Sequence, residues 1–149
     1  MGRTERAILK VFIGSPSDLL KERVEARAVV DRLNRHLAKN LGLYVELRGW
    51  EDTLPGYSRP QDRINQDIRD SGLFIGAIWR RWGTPTGEYS SGFEEEFELA
   101  KEQRKKGQLE DIWLFFKKVP DDLLGDPGEQ LHKVLDFRET VNDQGEVFL

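Results

Sequence analysis

Three stretches of the chain are apolar almost without interruption: residues 7–14 (AILKVFIG), 73–79 (LFIGAIW) and 111–117 (DIWLFFK). Each has the length of a β-strand. A strand with one wet face alternates apolar and polar residues, whereas a continuous run needs cover on both faces. Few architectures meet that need. The simplest is a parallel sheet whose crossover helices land on its two sides. Residues 43–48 (LYVELR) alternate and suit a strand nearer an edge.

The segments between the runs have helical character. Residues 18–40 predict a helix with Ala26, Val30, Leu33 and Leu37 as its buried stripe, ended by Asn40 and Gly42. Pro60 suits a first helical turn, where its missing N–H is not needed, and Ile64 and Ile68 give that helix an apolar face up to Ser71. An acidic helix follows the third run to about Lys106, where Gly107 stops it. Residues 129–141 predict a further helix carrying Leu131, Val134, Leu135 and Phe137, and 146–149 a fifth strand after a turn at 142–145. The alternation β-α-β-α-β-α-β-α-β predicts an α/β, flavodoxin-like, doubly wound parallel sheet of five strands in the order 2-1-3-4-5. The abrupt end on an apolar run leads us to expect a single domain, residues 1–149, within a larger multidomain protein.

Composition narrows the function. With 149 residues, the chain has room for one domain with a real core. A net charge of −4 argues against a dedicated nucleic-acid binder. No apolar run approaches the roughly 20 residues that cross a bilayer, and no secretory leader is recognisable. There are no cysteines and only two histidines, His36 and His132, so thiolate and histidine metal sites are not expected. A cytoplasmic protein with no metal, no cofactor, no nucleic-acid partner and no membrane partner is the expectation.

In such sheets, ligands bind beyond the C-terminal strand ends where the strand order reverses, here between the first and third strands. Four segments converge there: Gly14 to Ser17, the loop of Trp50, residues 79–83, and the start of the acidic helix. The chain has no Walker A loop, no dinucleotide glycine fingerprint and no Gly-x-Ser-x-Gly elbow. What remains is a carboxylate. At about 100° per residue, Phe93, Phe97 and Ala100 define the buried face of the acidic helix. Glu96 falls at the edge of that face, while Glu94, Glu95 and Glu98 point to water. Glu96 is then either a boundary residue of a solvated helix or a partly buried carboxylate at a cleft, able to serve where a glycosidic bond is broken. Trp50, Trp79 and Trp82 could stack on a ring or simply pack. Ser15 and Ser17 could hold a phosphate at a helix N-terminus or cap that helix.

With these residues in place, the chain resembles the TIR-like (Toll/interleukin-1 receptor-like) domains, and in particular the divergent bacterial ones found N-terminal to NTPase or repeat modules. The run from Val11 to Asp18 is similar to the first strand and its loop. Residues 50–56, with Leu54, Pro55 and Gly56, resemble the loop through which TIR domains self-associate. Ile64, Ile68 and Ser71 followed by the third run, and Ser91 followed by Glu96, Phe97 and Ala100, resemble the next two units. Gly92 and Phe93 stand where the family has a Trp-Cys pair. The resemblance implies cleavage of the nicotinamide–ribose bond of NAD, by hydrolysis or cyclisation, with Glu96 as the catalytic residue and NAD as substrate rather than cofactor. Gly14, Ser15, Ser17, Trp50, Trp79 and Ser91 would surround the substrate, and Pro55, Gly56 and Tyr57 would mediate self-association. It further implies a bacterial defence or signalling protein whose sensor or NTPase region triggers assembly. A non-catalytic assembly module and a nucleoside N-glycosyl transferase are the alternatives.

Overall fold

The structure, a computed structural model, describes residues 5–52 and 59–143. Four strands, β1 (Ala7–Gly14), β2 (Leu43–Arg48), β3 (Leu73–Ile78) and β4 (Asp111–Phe116), form one parallel sheet in the order β2-β1-β3-β4. The continuous apolar runs form β1, β3 and β4; β1 and β3 are the inner strands, the alternating segment is β2 at one edge, and β4, at the other edge of the described sheet, leaves Trp113 exposed. The α/β class, the parallel sheet and the order of its first four strands therefore match the sequence expectation, and are consistent with a flavodoxin-like fold. The described sheet has four strands, not five. The expected fifth strand, at 146–149, lies outside the described residues, as do Pro55, Gly56 and Tyr57.

The helices are α1 (Leu20–His36), α2 (Pro60–Arg69), α3 (Gly92–Lys105), the short α4 (Asp121–Leu124) and α5 (Gly128–Asp143). Successive strand residues point to opposite faces, so the sheet carries two separate burdens. Phe12, Phe74, Ile78 and Leu114 face one side and form the main core with Ile64 and Ile68 of α2, Phe93, Phe97 and Ala100 of α3, and Leu131 and Val134 of α5. Phe12 and Phe74 stack across β1 and β3 with ring centroids 6.0 Å apart. Phe137 of α5 packs edge-on to both Phe93 and Phe97 and draws α5 onto α3. Val11 and Ile13 point the other way and are buried, as are Leu19 and Ala38 at the two ends of α1.

Helix α1 differs from the expectation in length and face. The chain enters it through a 3-10 turn, Ser17–Leu19, and leaves it through a second, Ala38–Leu41, closed by Gly42 at φ 65°. Its inward row is Arg23, Ala26, Arg27, Val30 and Asn34, while Leu33 and Leu37 are exposed. Polar bonds set this rotation. The Asn34 amide donates to the Val45 carbonyl at 2.9 Å and accepts from the Val45 N–H at 2.8 Å, which stitches the helix to the backbone of β2. Leu37 stands just beyond the α-helical turns, so the 3.6-residue period that joined it to Val30 no longer applies there. The segment of Trp50, expected as a loop, contains a 3-10 turn, Trp50–Asp52, and the short helix α4 lies between β4 and the helix expected at 129–141.

Gly76 lies mid-strand in β3, where a Cβ would sit 2.7 Å from Leu114 Cδ2 and 3.1 Å from Phe74 Cε1. Both neighbours are buried. Gly76→Ala is expected to lower the unfolding free energy by about 1–3 kcal/mol through overpacking, read as a fall in the urea midpoint at unchanged slope.

Candidate active site

Helix α3 begins with its cap. Ser91 is extended and fully buried, and its hydroxyl accepts from the Glu94 N–H at 3.1 Å. Glu94 reaches back to the Ser90 N–H at 3.1 Å and accepts from the Ser90 hydroxyl at 3.0 Å. This reciprocal arrangement satisfies donors that a helix start leaves open. It also fixes the rotation of the first turn, and with it the directions of the next two carboxylates.

Glu95 points towards α2. It accepts from Arg59 at 3.2 and 2.9 Å, from Asn65 at 2.6 Å and from Thr86 at 2.9 Å. Burial pushes its carboxyl up, but the bonds from Arg59, Asn65 and Thr86 together outweigh burial and hold it below its ordinary value. Glu96 turns instead to the end of β1. Its carboxyl rests on Gly14, where a Cβ would lie 2.6 Å from Oε2. The Gln61 amide donates to Oε1 at a long 3.5 Å. Glu96 is 6% exposed. Burial drives its pKa up to about 8, against the smaller downward pull of the Gln61 bond and of the Arg23 charge, while Glu95 adds to the rise. Two successive glutamates thus stand in opposite states at neutral pH, one ionised and one mostly protonated. Such a divergence is a pattern by which acid–base sites are recognised.

Arg23 is the buried cation of this region. Its Nη1 donates to the Ile13 carbonyl at 3.1 Å and to the Ser15 hydroxyl at 2.9 Å, and Nε and Nη2 grip Glu51 at 2.8 and 2.9 Å. The Trp50 ring lies over the guanidinium, 5.4 Å from centroid to Cζ. A cleft of about 650 Å³ opens beside the site, between Arg59, Pro60 and Gln61 at the start of α2 and the loop of Thr86 and Tyr89, with Glu95 on its wall. Gln61 links this cleft to Glu96.

The structure therefore brings Gly14, Ser15 and Glu96 together, and joins Trp50 to them through Arg23. The remaining described candidates take other places. Ser91 is a cap. Ser17 is exposed in its 3-10 turn, and neither Ser15 nor Ser17 caps a helix. Trp79 donates its indole N–H to the Lys118 carbonyl at 3.1 Å and packs between the Arg80 and Lys117 cations at 3.9 and 4.1 Å. Trp82 is core, packed on Phe93 and Phe137. Arg23, Gln61 and Glu95 were not among the sequence candidates. Gln61 was legible in principle, since Pro60 places it in the first turn of a helix beside the crevice. The wheel sent Glu95 to water because it scored only the face towards the sheet, whereas the first turn of α3 also meets α2 and the 80–90 loop.

Fold and site together define an α/β domain with a four-stranded parallel sheet and a carboxyl buried at the strand ends. The sequence pattern of the family described as Domain of unknown function (DUF4062) matches residues 10–148. The chain belongs to that family. No curated protein is similar enough to the chain to match it.

The buried carboxyl has a thermodynamic signature. Glu96 keeps its proton in the folded state up to about pH 8 but loses it near 4.5 once unfolded. Its contribution to stability is therefore present below 4.5 and is lost as pH rises towards 8, with a slope of up to about −1.4 kcal/mol per pH unit. Glu96→Gln, neutral and of the same shape, is expected to lose that slope, so the gap between variant and wild type widens from pH 5 to 8 and then levels. Urea unfolding across that range measures it.

Proposed function

We propose that the domain is a TIR-like catalytic module that cleaves the nicotinamide–ribose bond of NAD, by hydrolysis or by cyclisation of the product, with Glu96 as its working carboxyl. The observation that carries the reading is Glu96 itself: a carboxyl buried against the end of β1, held near its ionisation threshold and linked by Gln61 to an open cleft. Parallel β1 and β3 side by side, with the strand order reversing between them, support the same place.

The chemistry suits that state. The nicotinamide–ribosyl group is a cation, and positive charge passes to the ribose as neutral nicotinamide leaves. A buried carboxyl poised near pH 8 is mostly neutral when alone. An arriving cation lowers its pKa, the proton departs, and a carboxylate forms where charge is to be stabilised. Water then attacks the anomeric carbon and gives up a proton, and the products are ADP-ribose and nicotinamide. In the cyclising variant nicotinamide leaves in the same way, and an atom of the retained ADP-ribose part takes the place of water and gives up the proton. Self-association, through the segment after β2 that contains Pro55, Gly56 and Tyr57, would set the site in its active form, under a sensor or NTPase region of a parent protein acting in the bacterial cytoplasm in defence or signalling.

One observation favours the alternative of a non-catalytic assembly module: Glu96 is almost wholly covered. Nucleoside N-glycosyl transfer is the further alternative, and nucleosides belong in the same assay. Protein clustered by a fused oligomerising helix is expected to release nicotinamide from NAD, at a rate that rises with pH towards 8 and falls by at least about a hundredfold in Glu96→Ala. Chromatography of the released base measures it. Folded, clustered wild type that releases no nicotinamide sinks the catalytic reading.

A further inference from the structure

The bonds of Arg23 divide into two sets on opposite edges of its guanidinium. One edge, Nη1, holds the end of β1 through the Ile13 carbonyl and the Ser15 hydroxyl, the residues flanking the Gly14 on which Glu96 rests. The other edge, Nε and Nη2, holds both carboxylate oxygens of Glu51 in the 3-10 turn after β2. The turn is shaped for this grip. Gly49 precedes it, and a Cβ there would fall 2.2 Å from Arg23 Nη2 and 2.3 Å from Glu51 Oε1. Asp52 accepts from the Gly49 N–H at 2.9 Å and closes the turn on itself. Arg27, one turn further along α1, donates to Glu51 and to Asp52. Trp50 covers the guanidinium.

The charged groups that act on Glu96 are Arg23, from α1, and Glu95, from its own helix; Gln61 of α2 and Gly14 of β1 meet it without charge. Glu95 is already balanced by Arg59. Arg23 is therefore the cation through which the surroundings can act on Glu96, and Glu51 takes two of its four hydrogen bonds.

We propose that Arg23 and Glu51 form a charge clasp that sets whether Glu96 is ionised, so that the turn at residues 50–52 governs the working carboxyl through Arg23. With the clasp closed, the negative charge of Glu51 offsets Arg23 and Glu96 keeps its proton. With Glu51 withdrawn, the Arg23 charge acts on Glu96 alone and shifts it towards the carboxylate. Arg23 and Glu51 are positioning residues in this scheme; neither touches substrate. The inference rests on Glu96 as the working carboxyl, and extends it with the device that controls its charge.

The test titrates Glu96 directly in the full chain, by carboxyl ¹³C NMR of glutamate-labelled protein, with Glu96→Gln to assign the resonance. Glu51→Gln keeps the shape of the clasp and removes its negative charge; it is expected to lower the Glu96 midpoint by about one pH unit. Arg23→Gln is expected to raise the midpoint, and Arg23→Lys to restore it towards wild type. A purely structural clasp predicts no such opposition of sign. If Arg23→Gln does not fold, Glu51→Gln, whose amide oxygen can still accept from Arg23, decides alone. A Glu96 midpoint that is unmoved or raised in folded Glu51→Gln overturns the proposal. Nicotinamide release by the same clustered variants separates the two ideas. Midpoints that move without any release leave the clasp standing and reject the NAD reading. Glu96-dependent release with unmoved midpoints does the reverse.

Discussion

The candidate site depends on an atom that is missing. Gly14 ends β1 without a side chain, and a Cβ there would press on Glu96 Oε2 and on Phe74 at once. Because that space is open, the first turn of α3 can lean its carboxyl onto the strand end while Phe74 stays stacked on Phe12. The close approach of helix to sheet is what excludes water from Glu96, and exclusion of water is what shifts its proton. Backbone geometry, packing and acid–base state are here one constraint seen at three scales.

Neighbouring carboxylates meet two different solutions to the cost of burial. Glu95 is compensated by a guanidinium, an amide and a hydroxyl, and stays charged. Glu96 has one long bond from an amide and a cation that is shared elsewhere, and stays neutral. Burying a carboxylate with full compensation mainly fixes local structure; burying one with partial compensation leaves a group whose charge responds to what arrives. Function is therefore more readily lodged in Glu96 than in Glu95, although both leave little surface open to water.

Much of the fold was legible because a sheet covered by helices draws on unbroken apolar runs, and β1, β3 and β4 supply them. The helices α2, α3 and α5 were legible for a related reason: Ile64 and Ile68, Phe93 and Phe97, and Leu131 and Val134 all bury into one apolar core, where periodicity reports the face. Helix α1 was misread because its face is fixed by Arg23, Arg27 and Asn34, and a search for apolar stripes passes over polar side chains that bond to backbone. The same blindness hid the cation of the site. Glu96 emerged from the helical wheel because its neighbourhood is the sheet, and Glu95 did not because its partners come from α2 and a loop distant in sequence. Trp79 attracted attention by type, yet its surroundings at the end of β4 are set by tertiary contacts that no local pattern encodes.

Asp18 carries a consequence of its own. Its Oδ2 accepts from the N–H groups of Arg80 and Arg81 at 2.9 and 3.0 Å, fastening the loop beyond β1 to the loop beyond β3. Its Oδ1 is buried, with no hydrogen-bond partner among the described residues. The gap between those two strands, which topology alone nominates as the doorway, is thus latched from above. On the proposed reading, a molecule bound for Glu96 would come in sideways among the described residues, along α2 and past Gln61, and the direction of approach, rather than the shape of the strand ends, would be the first filter on what can enter.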